Sequence, residues 1–306
     1  MQLDGIVTAD GRALTIGIAG LVLRLEAPPG EHVAVSGATR RFLIDHAPPD
    51  VTLAARRARR LVEPEAAPLF DSGAAWRLYR TGQATIFSLR AQPASQRRRE
   101  ARRASPYCVA TFDRHLTRGT VAFDRRAVRE GQPLEPLAYP LDELLVIHLL
   151  ARGRGLEIHG CGVVDRDGRA YLCAGPSGAG KTTIARLWQA AGATVLSDDR
   201  VIVRRHAGRF WLYGTPWHGD ARLASPLGAP LARILHLARG PRHELRALPP
   251  AEAAARLLAC SFPPFHDAAG MRFTLDCLAA LVAQVPGDEL RFVPEPGVAA
   301  FVREAA

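Results

Sequence analysis

The chain has 306 residues, 48% of them apolar and 23% charged, with a formal net charge of +10. That composition excludes a disordered or fibrous chain and supplies core enough for one large domain or two smaller ones. The longest apolar runs, 144–150 and 278–285, are far too short to span a bilayer, and the opening residues do not read as a secretory signal. A cytoplasmic location without a membrane partner is therefore expected.

The first part of the sequence reads as short half-buried strands, at 20–26, 76–80, 84–89 and 107–112, with apolar and polar residues alternating between Gly, Pro and Asp. One helical stretch is expected at 51–62. Two basic runs stand out: Arg56-Arg57-x-Arg59-Arg60, and Arg97-Arg98-Arg99 with Arg102-Arg103. Runs of this kind can bind nucleic acid or an acidic partner, but no interleaved aromatic or recognition motif accompanies either. Solvated charged faces are the expectation, with 96–104 an exposed connection and nucleic acid not an expected partner.

After Pro140 the character changes. A helix is expected at 142–151, strands at 162–164 and 170–174 around a turn at 165–168, a helix at 181–191 closed by Gly192, and a strand at 193–197. A hairpin around Gly208 follows (201–205 with 210–213), then helices at 250–260 and 268–285. The expected architecture is α/β, with a β-rich domain over 1–135, a candidate for substrate recognition, and a second domain over 136–306. The five cysteines are scattered, with no Cys-x-x-Cys pair. They read as reduced, buried thiols, and His159 near Cys161 finds no second cluster to complete a zinc site.

Between the strand at 170–174 and the helix after it stands Gly175-Pro176-Ser177-Gly178-Ala179-Gly180-Lys181-Thr182, a full match to G-x-x-x-x-G-K-[ST]. Glycines let successive backbone N–H groups turn inward around a phosphate, and the helix N-terminus, through Thr182 and Thr183, adds more donors and a partial positive charge. Lys181 can reach the β- and γ-phosphates, and the Thr182 hydroxyl can ligate Mg²⁺. Of the 40 basic residues Lys181 alone is lysine. A compact ammonium thus stands at the position where a planar guanidinium would not substitute.

Past the next strand comes Ser197-Asp198-Asp199-Arg200. Two carboxylates at a strand end beside the phosphates suit a kinase: one to hold Mg²⁺, the other to accept a proton from an attacking hydroxyl. The plainer alternative is a cap or surface turn. His159, in Gly155-Leu-Glu-Ile-His-Gly160, is by itself more readily structural than catalytic.

His159-Gly160, Gly175 to Thr182 and Asp198-Asp199-Arg200-Val201, in that order and spacing, resemble the bacterial HPr serine kinase/phosphorylase family and its relatives. The catalytic domain of that family is similar in fold to phosphoenolpyruvate carboxykinase. The resemblance runs through 140–203. It implies a P-loop kinase domain that uses ATP and Mg²⁺, with Lys181 and Thr182 on phosphate and metal, Asp199 as general base, Asp198 near the metal and His159 tuning Asp199. Two family features have no counterpart here, the glutamate of a second metal and the signature loop for HPr. In the loop's place stands Gly214 to Asp220, where His218 or Asp220 is a candidate participant and a turn with a buried Trp217 is the plainer reading. The substrate implied is a serine hydroxyl on a protein or peptide, as in relatives that resemble serine kinases for lasso-type precursor peptides. A homo-oligomer is compatible with the family. The alternatives are a small-molecule kinase and a nucleotide-binding regulator without transfer activity.

Overall fold

A computed structural model describes residues 7–9, 13–73, 75–90 and 105–305. The second basic run and the expected connection at 96–104 lie outside them. The protein is mixed α/β, with two large mixed sheets and few helices. It divides into two compact units, Met1–Leu145 and Val146–Ala306.

In the first unit, β1 (Val7–Ala9) pairs with β4 (Val33–Val35). The other strands are β2 (Leu14–Ile18), β3 (Leu21–Glu26), β5 (Val51–Ala58), β6 (Phe70–Asp71), β7 (Trp76–Thr81), β8 (Ala84–Arg90), β9 (Pro106–Asp113) and β10 (Arg118–Asp124). They form one eight-stranded sheet in the order β2-β3-β5-β10-β9-β8-β7-β6. The helix expected at 51–62 is absent, and β5 occupies its first eight residues. Its Ala-Arg run favours a helix locally, but Val51, Leu53 and Ala55 fall on one face at a period of two and are buried. Parallel pairing with β3 and β10 on either side supplies the hydrogen bonds, so tertiary context overrides propensity.

The basic run here divides accordingly. Arg56, Arg59 and Arg60 are exposed, whereas Arg57 pairs with Glu31 and donates to the carbonyls of Val128, Arg129 and Gln132. Leu134 donates to the His32 carbonyl and accepts from Ala34. That contact ties the chain beyond β10 into this unit, and the boundary falls inside α1 (Leu141–Leu150).

The second unit contains β11 (Leu156–Val164), β12 (Ala170–Ala174), α2 (Lys181–Ala190), β13 (Thr194–Ser197), β14 (Arg200–His206), β15 (Arg209–Gly214), β16 (Gly228–Arg239), β17 (Glu244–Ala247), α3 (Pro250–Ala259), α4 (Ala268–Gln284), β18 (Gly287–Phe292) and α5 (Val298–Glu304). Long β11 and β16 change partners along their length. β11 pairs with β14 in its first half and with β12 and β13 in its second. Successive pairings of β11, β12, β16, β15 and β14 return to β11, closing a circuit around an apolar core that includes Ile158, Leu172, Leu196, Val203 and Leu212. A second core joins Ile184, Ala185 and Trp188 of α2 to Cys161, Tyr171, Leu290 and Phe292. Strand β11 starts six residues before the expected 162–164, because Leu156 and Ile158 already face the core, and His159 therefore lies within a strand.

Gly180 caps the start of helix α2, and its φ of +104° is available to glycine; a Cβ there would also come within 2.8 Å of the Phe292 ring. It ends with Gly192 N–H on the Gln189 carbonyl and Ala193 N–H on the Trp188 carbonyl, the paired bonds of a Schellman stop. The strand–loop–helix order is the setting that a phosphate-binding loop requires.

Candidate functional site

Strand β12 delivers the chain into the glycine-rich loop and α2 takes it away, so 175–180 is held at both ends by core elements. Gly175 is buried, Pro176, Ser177 and Gly178 are exposed, and Ala179 and Gly180 are half-buried. The Lys181 ammonium curls back over the loop and donates to the carbonyls of Gly175 (2.9 Å) and Pro176 (3.0 Å). Burial pushes its pKa below the usual lysine value, opposed by the negative charge of Asp199 nearby. Thr182 is half-buried and Thr183 exposed, on the first turn of α2.

Asp199 reaches the same neighbourhood by strand pairing. The turn between β13 and β14 carries it, and register places Arg200 opposite His159 of β11. Gly160 N–H donates to the Asp199 carbonyl at 3.0 Å and His159 N–H to the Cys260 carbonyl at 2.7 Å, fixing both backbones. The Asp199 side chain is clamped on two sides. His159 Nε2 lies 3.0 Å from Oδ1, and Arg200 Nη1 lies 2.5 Å from Oδ2. Burial raises the carboxyl pKa, but the His159 hydrogen bond and the charges of Arg200 and Lys181 outweigh it, and the net shift is downward. Asp199 is thus an ionised, oriented acceptor.

Asp198, its neighbour, is placed quite differently. The residue is 2% exposed, and its side chain turns into the connection between β15 and β16. Oδ1 accepts N–H groups from Gly219 (3.0 Å) and Leu223 (3.3 Å), and Oδ2 accepts from Ala221 (2.9 Å). A Cβ at Gly219 would crowd this carboxylate, standing 2.9 Å from Asp198 Oδ2 and 3.4 Å from Asp199 Cβ. The Ser197 hydroxyl continues the arrangement, donating to the Trp217 carbonyl (2.9 Å) and accepting from the N–H groups of Asp199 and Arg200. Trp217 is buried, and His218 and Asp220 stand exposed on this loop.

Lys181, Asp199 and His159 are therefore brought into one electrostatic neighbourhood beside the loop, while the carboxylate of Asp198 anchors the neighbouring loop through three backbone donors. Three further residues, to which the sequence assigns no role, complete the site. Arg200 orients Asp199, and its guanidinium lies 4.4 Å above the Phe262 ring, which also approaches the His159 ring. Burial raises the Cys260 thiol pKa, partly offset by the charge of Lys181 and by the Gly175 backbone N–H. The adjacency of Arg200 to Asp199 was the one readable signal; Cys260 and Phe262 come from a distant segment that carries no motif.

No family model matches the chain, and no curated protein matches it significantly.

Proposed function

We propose that this protein is an ATP- and Mg²⁺-dependent kinase that transfers the γ-phosphoryl group to a hydroxyl, serine above all, of a protein or peptide. In this reading Val146–Ala306 is a P-loop kinase domain of the HPr kinase and phosphoenolpyruvate carboxykinase type. The observation that carries it is the pairing of a buried lysine folded into a glycine-rich loop with an ionised aspartate held by His159 and Arg200.

The loop N–H groups and Lys181 bind the β- and γ-phosphates of the substrate nucleotide, and Asp199 orients the acceptor hydroxyl in line with the γ-phosphorus. The acceptor oxygen bonds to that phosphorus, the bond to the bridging oxygen breaks, and the hydroxyl proton passes to Asp199. Because this kind of transition state places little charge on the nucleophile, an aspartate of low basicity suffices. Arg200 and His159 keep it ionised and aimed.

The donors fit Mg²⁺, which binds through few protein oxygens plus water and substrate phosphate. Thr182 supplies a hydroxyl at the loop and the aspartate pair supplies carboxylate charge. Both Asp198 oxygens already accept backbone N–H groups, so the contribution of Asp198 to such a cation is its field and its remaining lone pairs. When bound, the cation neutralises charge on the phosphates.

Two variants test the reading by separating binding from chemistry. Lys181→Met is expected to lose nucleotide affinity, and Asp199→Asn to keep it while losing transfer. Full transfer activity in either variant would overturn the assigned role.

A further inference from the structure

Strands β12, β16 and β18 run parallel, so their carboxyl ends lie side by side. The glycine-rich loop leaves the end of β12. Immediately beside it a pocket of about 340 Å³ opens between the loop and the ends of the other two strands. Gly180 and Thr183 line it from the loop and α2, Arg239 and Gly240 from the end of β16, and Phe292 and Pro294 from the end of β18. Crevices at the carboxyl ends of parallel strands are where α/β sheets bind ligands, and this volume lies at the small end of the range for small-molecule sites.

The walls have a definite chemistry. Phe292 is buried directly beneath Gly180, giving an apolar floor. Arg239 is exposed, and its guanidinium is anchored by a hydrogen bond of 3.3 Å to the Gly178 carbonyl, which spans from the strand end to the loop. Among the described residues, no Asp, Glu, Asn or Gln side chain lines the pocket. An apolar floor and a tethered planar cation suit the face of a heteroaromatic ring, whereas the edge of such a ring would find few side-chain partners.

We propose that this pocket takes the purine base of the nucleotide, holding it by its face against Arg239 and the Phe292–Pro294 wall, and that it does not distinguish adenine from guanine. The proposal rests on the nucleotide-binding reading of the loop. Thr183, on the first turn of α2, borders both the loop and the pocket and marks where a triphosphate gives way to its nucleoside.

Calorimetric titration of the full chain with Mg²⁺ and ATP, GTP or inorganic tripolyphosphate, for wild type and Arg239→Ala, tests this and keeps the two readings apart. ATP and GTP are expected to bind within about threefold of each other and about tenfold tighter than tripolyphosphate. Arg239→Ala should weaken both nucleotides about fivefold to tenfold and leave tripolyphosphate within about twofold. Nucleotides no tighter than tripolyphosphate, a gap of more than about tenfold between ATP and GTP, or a parallel loss of all three ligands in Arg239→Ala would overturn the pocket while leaving the loop reading intact. Failure of all three ligands to bind the wild-type chain would overturn both.

Discussion

His159 Nε2 lies 3.0 Å from Asp199 Oδ1, and strand pairing brings the two residues together, because His159 and Arg200 are register partners of β11 and β14. A histidine that reads as structural in isolation thereby becomes the immediate partner of the proposed base. Its hydrogen bond is the largest influence lowering the Asp199 pKa, against burial, which raises it.

A pH profile follows. A depressed carboxyl stays ionised to lower pH, so if Asp199 is the proposed base, the acid limb of kcat/KM in the wild type should lie below the ordinary carboxylate range. Removing the hydrogen bond raises that pKa, and His159→Ala should move the acid limb to higher pH. His159→Gln, which restores a neutral donor, should move it part of the way back. A purely structural histidine would lower kcat/KM at every pH without displacing the limb.

Lys181 donates to two carbonyls of its own loop from a buried position. A guanidinium has neither the shape nor the single-point charge for that site. Lys181→Arg should therefore weaken ATP binding by about tenfold or more, a loss of about 1.4 kcal/mol, in a titration where the chain remains folded. Wild-type affinity in this variant would show that the ammonium does not contact phosphate.

The three N–H groups on Asp198 predict a loop-anchoring role for its carboxylate. Asp198→Asn replaces one acceptor oxygen with a donor and should cost about 1–3 kcal/mol in urea unfolding. Transfer should fall through misplacement of the loop beside Asp199, with ATP affinity retained. Gly219→Ala, which forces a Cβ against Asp198, should reproduce the loss of transfer. If Asp198→Asn left stability unchanged and abolished Mg²⁺-dependent ATP binding, the carboxylate would be a metal ligand instead.

Much of this was legible in the sequence, and unevenly so. The strand at 170–174 and the helices around 181–191, 250–260 and 268–285 follow from periodicity and stop signals, and the structure places them within a residue or two. The Gly208 hairpin is likewise read from its turn. The helix expected at 51–62 fails because Ala and Arg carry helix propensity, while the deciding partners, β3 and β10, are remote in sequence. The site divides in the same way. The glycine-rich loop and the aspartate pair are local patterns, but the different placement of Asp198 and Asp199 depends on a loop some twenty residues later, which no local pattern specifies.

Glu289 provides a test of stability in the second unit. Its side chain is 8% exposed and bonds to Arg256 (2.9 Å), Arg291 (3.0 Å) and Arg246 (3.3 Å), which outweigh burial and hold its pKa at about 2. A carboxyl held this low contributes stability that is full above its ordinary value of 4.5 and is lost as pH falls towards 2. Thermal melts from pH 6 to pH 3 should show a falling Tm, with a shallower slope for Glu289→Gln. Identical slopes would remove Glu289 from the acid response.

The central claim, transfer of a phosphoryl group to a hydroxyl, is tested most directly by intact-mass analysis. Serine peptides and small hydroxyl metabolites are incubated with the protein, Mg²⁺ and ATP, alongside Asp199→Asn. The wild type is expected to add one phosphate to a serine peptide, and the variant none. Phosphate gain confined to a small molecule would contradict the peptide acceptor, and equal gain with both proteins would contradict the role of Asp199.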